Sequence, residues 1–263
     1  MRWPWSSDPD DKSKRQWGKR KDSRYVTDWS WYDWEHYKDP RTIASTIILT
    51  STLLFAVRFQ RNYIRRIPTV AHIRPEFYRK RRLFGTVTSV GDADNFHLFH
   101  TPGGRLAGWG WLPGRKVPVK KILLRDRTIR TRIAGIDAPE GAHFGNSSQP
   151  HSKEALQWLR DYILDRRVKA YIHRRDQYDR VVATVWVRKG LICRYQDVGL
   201  EMLKAGYATV YEANTGAEFG EFEEKYRQAE KVAKRKKVGM WAGDQTNYES
   251  PRDFKTRTAK PVQ

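Results

Sequence analysis

From residue 83 onward, hydrophobic and polar positions alternate in short stretches that are separated by loops. Alternation with a period of two is typical of β-strands that bury one face. The pattern predicts strands at residues 84–90, 95–100, 128–136, 168–172 and 181–187. Residues 101–118 are rich in Gly, Pro and Trp, which predicts a long loop between the second and third strands.

Three helices are predicted in the same region from apolar residues at helical spacing. The first follows a polar helix start at residues 149–152. A short helix is predicted at 197–205, and a charged amphipathic helix at 218–236. Strands dominate the first half, and the helices do not alternate regularly with them. The order therefore favours an α+β fold, a small β-barrel with packed helices, over a doubly wound sheet.

An uncharged run of 16 residues, 42–57, lies between Arg41 and Arg58. A transmembrane helix needs about 20 apolar residues, and extending the run to Phe59 brings it to marginal length. A buried core helix is the alternative, but the run offers no polar face to water. We therefore expect one transmembrane helix at 42–59. More Lys and Arg follow the run than precede it, which predicts that the C-terminal part stays on the side of synthesis.

The rest of the chain divides around these two regions. Residues 1–40 are polar and rich in Trp, with no sustained apolar period, and we expect them to be disordered. Residues 60–82 are expected to be a basic linker, residues 83–243 the folded domain, and residues 244–263 a disordered tail without periodicity.

The chain is strongly basic, with a formal net charge of +21 and a pI of about 10.1. Charge of this sign suits a polyanionic partner, either nucleic acid or an anionic membrane surface, although a solvated basic face has the same composition. Cys193 is the single cysteine, so an intrachain disulfide and a cysteine-based zinc site are both excluded. We interpret Cys193 as a small hydrophobic residue.

Three separated segments carry the chemistry: Asp92-Ala93-Asp94, the segment Arg-Ile-Ala-Gly-Ile-Asp-Ala-Pro-Glu at 132–140, and Tyr178-Asp179-Arg180. In this order they resemble the staphylococcal nuclease (thermonuclease-like) family over residues 83–243. The resemblance implies an OB-fold, a five-stranded β-barrel with three packed helices. It also implies one calcium site and phosphodiesterase activity. With the apolar run and basic linker included, the chain resembles more narrowly the fungal LCL3-type endonucleases, which are assigned to mitochondrial membranes.

The resemblance implies that Asp94 and Asp137 bind the metal. Carboxylates are hard oxygen ligands, which suit calcium. The backbone carbonyl of Ala138 is a candidate third ligand; the family often has Thr at this position, and a carbonyl ligand tolerates a different side chain. Taken singly, each feature has an ordinary alternative: residues 137–140 could be a surface turn, Arg132 a strand residue that faces solvent, Asp92 and Asp94 part of a polar hairpin, and Arg180 one more positive charge. The hypothesis depends on the three segments together.

Catalysis is assigned by the same resemblance to Arg132, Glu140 and Arg180. Glu140 would position or deprotonate the attacking water. Arg132 and Arg180 would grip the phosphate, because a planar guanidinium binds two oxygens and keeps its proton. Tyr178 is a candidate for lining the nucleotide pocket.

The sequence departs from the family pattern beside these residues. Ala93 stands where the family favours Gly, and it would resist a positive φ if the turn needs one. Asn95 replaces Thr. Asp179 replaces the Gly before Arg180, and its carboxylate is expected to pair with Arg180 and weaken phosphate binding. These changes bear on rate and metal affinity more than on the type of reaction.

The histidines are not expected to bind metal. His97 and His100 are three residues apart on a predicted strand, so they point to opposite faces. The remaining candidates, His143, His151 and His173, have no metal-ligand spacing.

The function expected from the sequence is a membrane-anchored, calcium-dependent endonuclease that cuts DNA, RNA or both. Its partners would be nucleic acid as substrate and a mitochondrial membrane as anchor, and no protein partner is predicted. The alternative is a non-catalytic nucleic-acid-binding or tethering module, because OB-folds often bind strands without cutting them.

Overall fold

The computed structural model describes residues 38–142, 147–189, 194–211, 218–219, 222–243 and 248–259. The chain divides into two compact units between Leu54 and Phe55. Most of the predicted Trp-rich segment, residues 1–37, lies outside the described residues, as do His143 and Cys193.

Helix α1 spans Pro40–Phe59, and a π-helical turn, Gln60–Ile64, continues it. At 1.5 Å per residue, the 20 residues of α1 are about 30 Å long, which equals the hydrocarbon thickness of a bilayer. None of its residues is buried against protein. Within the described residues, Pro40–Ile64 is the one helix that is long and apolar enough to cross a membrane, with a mean hydropathy of 1.6.

The strands of the folded domain follow the predicted alternation of buried and exposed positions. They are β1 (Arg82–Asp92), β2 (Asn95–His100), β3 (Ile129–Ile133), β4 (Ile136–Asp137), β5 (Arg167–Arg175), β6 (Val181–Lys189), β7 (Arg194–Asp197) and β8 (Thr209–Val210).

Five of these strands close a barrel. Antiparallel pairing gives the order β3-β2-β1-β5-β6, and β6 returns beside β3 in parallel, with Thr131 opposite Val181. Closure removes the exposed sheet edges of these strands. This is the predicted five-stranded OB-fold barrel, and the α+β prediction is confirmed.

Three helices bury residues in the core of the barrel domain: α3 (Ser152–Ile163), α4 (Val198–Lys204) and α5 (Glu223–Lys236). Helix α2 (Lys121–Leu124), which precedes them, buries no residue, and α6 (Pro251–Ala259) follows them near the C-terminus. The three predicted helices correspond to α3, α4 and α5. Asp197 caps α4 by accepting a hydrogen bond from the Leu200 N–H, at 3.1 Å.

Helix α5 begins at Glu223, so its predicted start at residue 218 was wrong. Phe219 is buried instead of lying on a helix face, and its ring meets Tyr226 edge-on at a centroid distance of 6.3 Å. A Cβ on Gly135 would approach Phe219 to 2.8 Å. Helical spacing alone would place Phe219 in the helix. In the structure Phe219 precedes the helix and packs with Tyr226 over Gly135. Gly135 has a φ of +74° and also divides the predicted strand 128–136 into β3 and β4.

Residues 60–82 are not merely a basic linker, as the sequence led us to expect. Ile67, Val70, Ile73 and Phe77 are buried in the main hydrophobic core. Two 3₁₀ turns, Val70–His72 and Pro75–Phe77, bring them onto the barrel. The free energy gained by burying these four apolar side chains is enough to hold the segment on the domain, although the arginines between them favour solvent.

The prediction of a structureless tail at 244–263 was also wrong where the structure describes it. Helix α6 covers Pro251–Ala259, and Phe254 is buried. Asp253 N–H donates to Ser250 Oγ at 3.1 Å, which satisfies one orphan donor at the helix start. One buried aromatic ring therefore fixes a helix that is too short to show a clear period.

Candidate active site

The β1–β2 hairpin places Asp94 next to the Arg132 strand. Asp94 lies in the turn and is 5% exposed, and its carbonyl accepts a hydrogen bond from the Ile133 N–H at 3.0 Å. In the β2–β3 register, Asn95 is opposite Arg132. Alternation along β3 buries Thr131 and Ile133 and turns Arg132 to the other face, as predicted. Backbone pairing alone therefore brings the first two segments together.

Arg132 binds both predicted metal ligands with one edge of its guanidinium. Its Nε donates to Asp94 Oδ2 at 2.9 Å, and its Nη2 donates to Asp137 Oδ1 at 3.0 Å. Asp137 is 3% exposed and is held on β4 by pairing with Thr209 of β8. The two carboxylates must therefore face the same few ångströms of space, because they share one planar fork.

This arrangement fixes the charge of the arginine. Burial lowers the pKa of Arg132, but the carboxylates of Asp94 and Asp137 outweigh that effect and raise the pKa above its ordinary value. The guanidinium stays protonated at any pH of interest. The guanidinium also makes a cation–π contact with Tyr211, whose ring centroid lies 4.9 Å from Arg132 Cζ.

Arg180 lies beside this group, immediately before β6, and is held by Asp176. Arg180 Nε donates to Asp176 Oδ2 at 2.7 Å, and its backbone N–H donates to Asp176 Oδ1 at 2.8 Å. Arg180 Nη1 reaches Asn95 Oδ1 at 3.1 Å, which links it to the hairpin that carries Asp94. The third segment thus joins the other two.

Asp179 was expected to pair with Arg180, and this expectation was wrong. Its carboxylate instead contacts Arg130 at 3.1 Å and Arg175 at 2.5 Å. Asp179 has a φ of +57°, and this left-handed turn aims the side chain away from its neighbour. Ala93 does not adopt a positive φ in the described hairpin, so the turn does not require the glycine of the family pattern.

The loop that carries Glu140 is held by Gln149. The Glu140 N–H donates to Gln149 Oε1 at 3.2 Å, and the Gln149 N–H donates to the Glu140 carbonyl at 2.9 Å. Gln149 Nε2 then donates to the Glu249 carbonyl at 2.7 Å, just before α6. Sequence reasoning missed both Gln149 and Asp176. Asp176 had a local signal, since it lies four residues before Arg180, whereas Gln149 depends on a partner 100 residues away.

The donor set suits a hard divalent cation. Two buried carboxylates face one point, and the Ala138 residue that follows Asp137 is also buried. No cluster of three or more His, Cys, Asp or Glu side chains converges among the described residues. Most ligands of a cation held here would thus be backbone oxygen, water or substrate phosphate, as is usual at catalytic sites for such ions.

The described histidines have other partners. His100 Nδ1 accepts a hydrogen bond from the Ile67 N–H at 2.9 Å, and His97 Nδ1 lies 3.1 Å from Thr128 Oγ1. His173 Nε2 is 2.7 Å from Thr184 Oγ1. Tyr178 is exposed, with its ring centroid 5.1 Å from Arg180 Cζ, and its place in a nucleotide pocket stays a prediction.

Comparison with known proteins agrees with this geometry. A family model described as staphylococcal nuclease homologue matches residues 130–243. The chain is 68% identical over 227 residues to the probable endonuclease lcl3 of Sclerotinia sclerotiorum, covering 86% of this chain and 85% of that protein. The chain belongs to the staphylococcal nuclease family. It is also 58% identical over 261 residues to the probable endonuclease LCL3 of Pyricularia oryzae, covering 98% of this chain and 96% of that protein. Within the family it is therefore of the LCL3 type.

Proposed function

We propose that this protein is an endonuclease that hydrolyses phosphodiester bonds in DNA, RNA or both. The observation that carries the proposal is the buried group of Asp94, Asp137 and Arg132, with Arg180 beside it. Buried ion pairs contribute little to stability because burying charge costs desolvation energy, so a cluster of this kind is a candidate for a functional site. The basic composition favours a polyanionic substrate.

The two arginines have donors left for a phosphate. The contacts described for Arg132 use Nε and Nη2, so Nη1 lies on the other edge of the fork. Those described for Arg180 use Nε and Nη1, and Nη2 remains. Carboxylates thus fix each guanidinium in place while donors stay available to stabilise charge on the phosphoryl oxygens. Glu140, on the loop after β4, would take the proton from the attacking water.

Calcium is the proposed cofactor, on Asp94 and Asp137. Its support is the oxygen donor set together with family membership. A divalent cation supplies further neutralisation of the phosphate and lowers the pKa of water. Asp94 and Asp137 would then bind both the ion and Arg132, so that the ion and the guanidinium lie on the same side of the phosphate.

A nuclease assay on the Glu140→Gln variant of the full chain tests this function. The change keeps the shape and removes the proton acceptor, so calcium-dependent cleavage should fall by at least about 100-fold, the usual lower size of a general-base effect. Glu154→Gln is the matched control, because Glu154 is exposed on α3. Unchanged cleavage by the Glu140 variant would refute the role of Glu140. A wild-type chain that binds single strands but never cuts them with calcium present would be a binding module instead.

We further propose that α1 anchors the protein in a membrane. Its aliphatic and aromatic side chains are exposed and are not packed into a core; Ile48, Leu49 and Phe55 are 66–70% exposed. The uncharged run ends at Val57, and Arg58, Arg61 and Arg65 follow it. This order is typical of a span that ends at a lipid headgroup region.

Alkaline extraction of membranes tests the anchor. The wild-type chain should stay in the pellet, as should Leu49→Ala. Leu49→Arg should move the protein to the supernatant, since a central arginine costs about 3 kcal/mol in a span that is already of marginal length. Release of the wild-type chain would refute anchoring. The mitochondrion is the proposed organelle, and fractionation of cells that express a tagged chain would test it.

A further inference from the structure

Among the described residues of the folded domain, most of the large hydrophobic side chains that are exposed lie in the loop between β2 and β3, residues 101–127. We call it the β2–β3 insert. Leu106 is 99% exposed, Val119 93%, Ile122 73% and Trp111 59%. Leu106 and Val119 are therefore more exposed than any large hydrophobic residue of α1, where the highest value is 70%. A single exposed leucine is normal, but this density within one loop indicates a contact surface.

The insert is also basic. It contains seven Lys and Arg residues and one acidic residue, Asp126. Most of these cations are exposed, among them Lys116, Lys120 and Lys121. Apolar side chains interleaved with exposed cations are the chemistry of a segment that lies in the interface of an anionic bilayer. A protein-binding surface has the opposite signal, because charged residues and lysine in particular are depleted at the centre of protein interfaces.

The insert is rooted firmly at the end of the barrel where the chain arrives from α1. Trp109 is buried against Phe99, with a centroid distance of 5.9 Å, and Arg167 Nη2 donates to its carbonyl at 3.2 Å. The guanidinium of Arg66 lies over the same Phe99 ring, with Cζ 3.8 Å from the ring centroid. Arg66 Nη2 also donates to the carbonyl of Arg127. Arg66, two positions after the helical segment, thus contacts the last residue of the insert directly and also contacts Phe99, the strand residue against which Trp109 packs.

The length of chain limits how far this root can be from a membrane. The π turn ends at Ile64, and the Ile67 N–H is already bonded to His100 at the end of β2. Six helical residues after Arg58 and three extended ones span at most about 20 Å. If α1 crosses the bilayer, the base of the insert must lie within that distance of the headgroups.

The insert and the active site lie at opposite ends of β2. Asp94 precedes the first residue of β2, and the insert leaves after its last residue, His100. Six residues of strand separate them by about 17 Å. Contact of the insert with lipid would therefore leave the end that carries Asp94 and Arg132 open to substrate.

From these observations we propose that the β2–β3 insert is a second membrane contact, which docks the folded domain on an anionic bilayer. This proposal rests on the membrane anchoring proposed for α1. It commits to lipid as the occupant, because the exposed cations match anionic headgroups and the chain itself leads to a membrane. The insert would hold the domain in one orientation, with its catalytic end directed away from the lipid.

The test uses the full chain in vesicles with a fluorophore at single cysteines. The natural Cys193 is first changed to Ser, and Leu106→Cys, Ile122→Cys, Leu54→Cys and Gln228→Cys are then labelled separately with the dye NBD. Leu54 lies in α1 and reports on the anchor, whereas Gln228 is exposed on α5 and serves as the aqueous control. Vesicles consist of phosphatidylcholine with or without phosphatidylserine, and dithionite is added outside to destroy dye that is in water.

We expect the labels at Leu106 and Ile122 to resist dithionite and the label at Gln228 to be destroyed, with greater resistance when phosphatidylserine is present. Rapid loss at Leu106 and Ile122 while Leu54 stays protected would overturn the insert proposal and leave the anchor intact. Rapid loss at Leu54 would overturn both. Protection at Leu106 that appears only after DNA is added would assign the surface to substrate and overturn the lipid contact.

Discussion

Asp176 should be a positioning residue for Arg180, and its replacement by Asn should lower cleavage. Asp176 Oδ1 accepts from the Tyr178 and Arg180 N–H groups, at 2.9 and 2.8 Å, and Oδ2 accepts from Arg180 Nε at 2.7 Å. Asn keeps the first oxygen and places an amide N–H₂ where the second one was. Arg180 Nε–H then faces another donor, and its guanidinium must turn away.

The structure gives the size of the effect. The side chain of Asp176 is 9% exposed and that of Arg180 is 22% exposed, so solvent screens this pair only weakly. The lost hydrogen bond between charged groups is worth about 1.5–3 kcal/mol. A displacement of about 1 Å at a phosphate-binding group costs on the order of 100-fold in rate, and a factor of 100 corresponds to about 2.7 kcal/mol. The two estimates agree.

The assay measures initial rates of nucleic acid cleavage over a range of substrate and calcium concentrations. If Arg180 acts mainly on charge that develops during the reaction, kcat should fall more than KM rises. Asp179→Asn is the matched control, because it makes the same chemical change three residues away. Asp179 pairs with the half-exposed Arg130 and Arg175, and such pairs contribute about 0–1 kcal/mol. Equal rates for the two variants would refute the positioning role.

Two further predictions concern stability. Gly206→Ala should lower the free energy of unfolding by about 3 kcal/mol in urea denaturation, because Gly206 has a φ of +74° and a Cβ would lie 2.1 Å from the Val238 carbonyl oxygen. Gly91→Ala, whose Cβ meets nothing within 4 Å, should change it by at most about 0.5 kcal/mol; equal losses would contradict the argument. Burial, followed by Arg66 and Arg81, lowers the pKa of His100 to about 3. Because the unfolded chain then binds the extra proton, this residue should reduce stability as pH falls below about 6.5, by up to about 1.4 kcal/mol per pH unit. His100→Asn keeps an acceptor for the Ile67 N–H and should flatten the dependence of Tm on pH between 5 and 6.5; an unchanged slope would refute it.

The barrel could be predicted because its strands alternate strongly and each is bounded by clear turn residues. What the pattern could not give was the packing of segments whose partners are distant in sequence. Ile67, Val70, Ile73 and Phe77 are spaced by three or four residues, a helical period that the surrounding arginines concealed. The high charge of residues 60–82 therefore led to the prediction of a linker, although four apolar side chains are enough to bury the segment.

The same division between local and distant contacts applies to the site. Asp94, Asp137 and Arg132 were singled out because three separated segments together resemble the family, and the strand pairings bring these residues to one place. Gln149 was not, since its role is to join the Glu140 loop to the chain just before α6. The hydrogen bond from Gln149 to the Glu249 carbonyl also fastens the chain just before α6 to the folded domain. A segment that looks like a tail is thus part of the support of a candidate catalytic loop.

Asp179 is the clearest case in which the structure changes the meaning of a sequence departure. A carboxylate beside Arg180 suggests competition with phosphate, yet the carboxylate points to Arg130 and Arg175. The backbone at Asp179 is left-handed, with a φ of +57°, which is a conformation that suits the glycine of the family pattern. A non-glycine residue there costs about 1–2 kcal/mol of backbone strain, which the two ion pairs offset in part. Asp179 therefore lowers the stability of the fold and does not block the site. Arg180 is positioned by Asn95, and its Nη2 remains for the substrate.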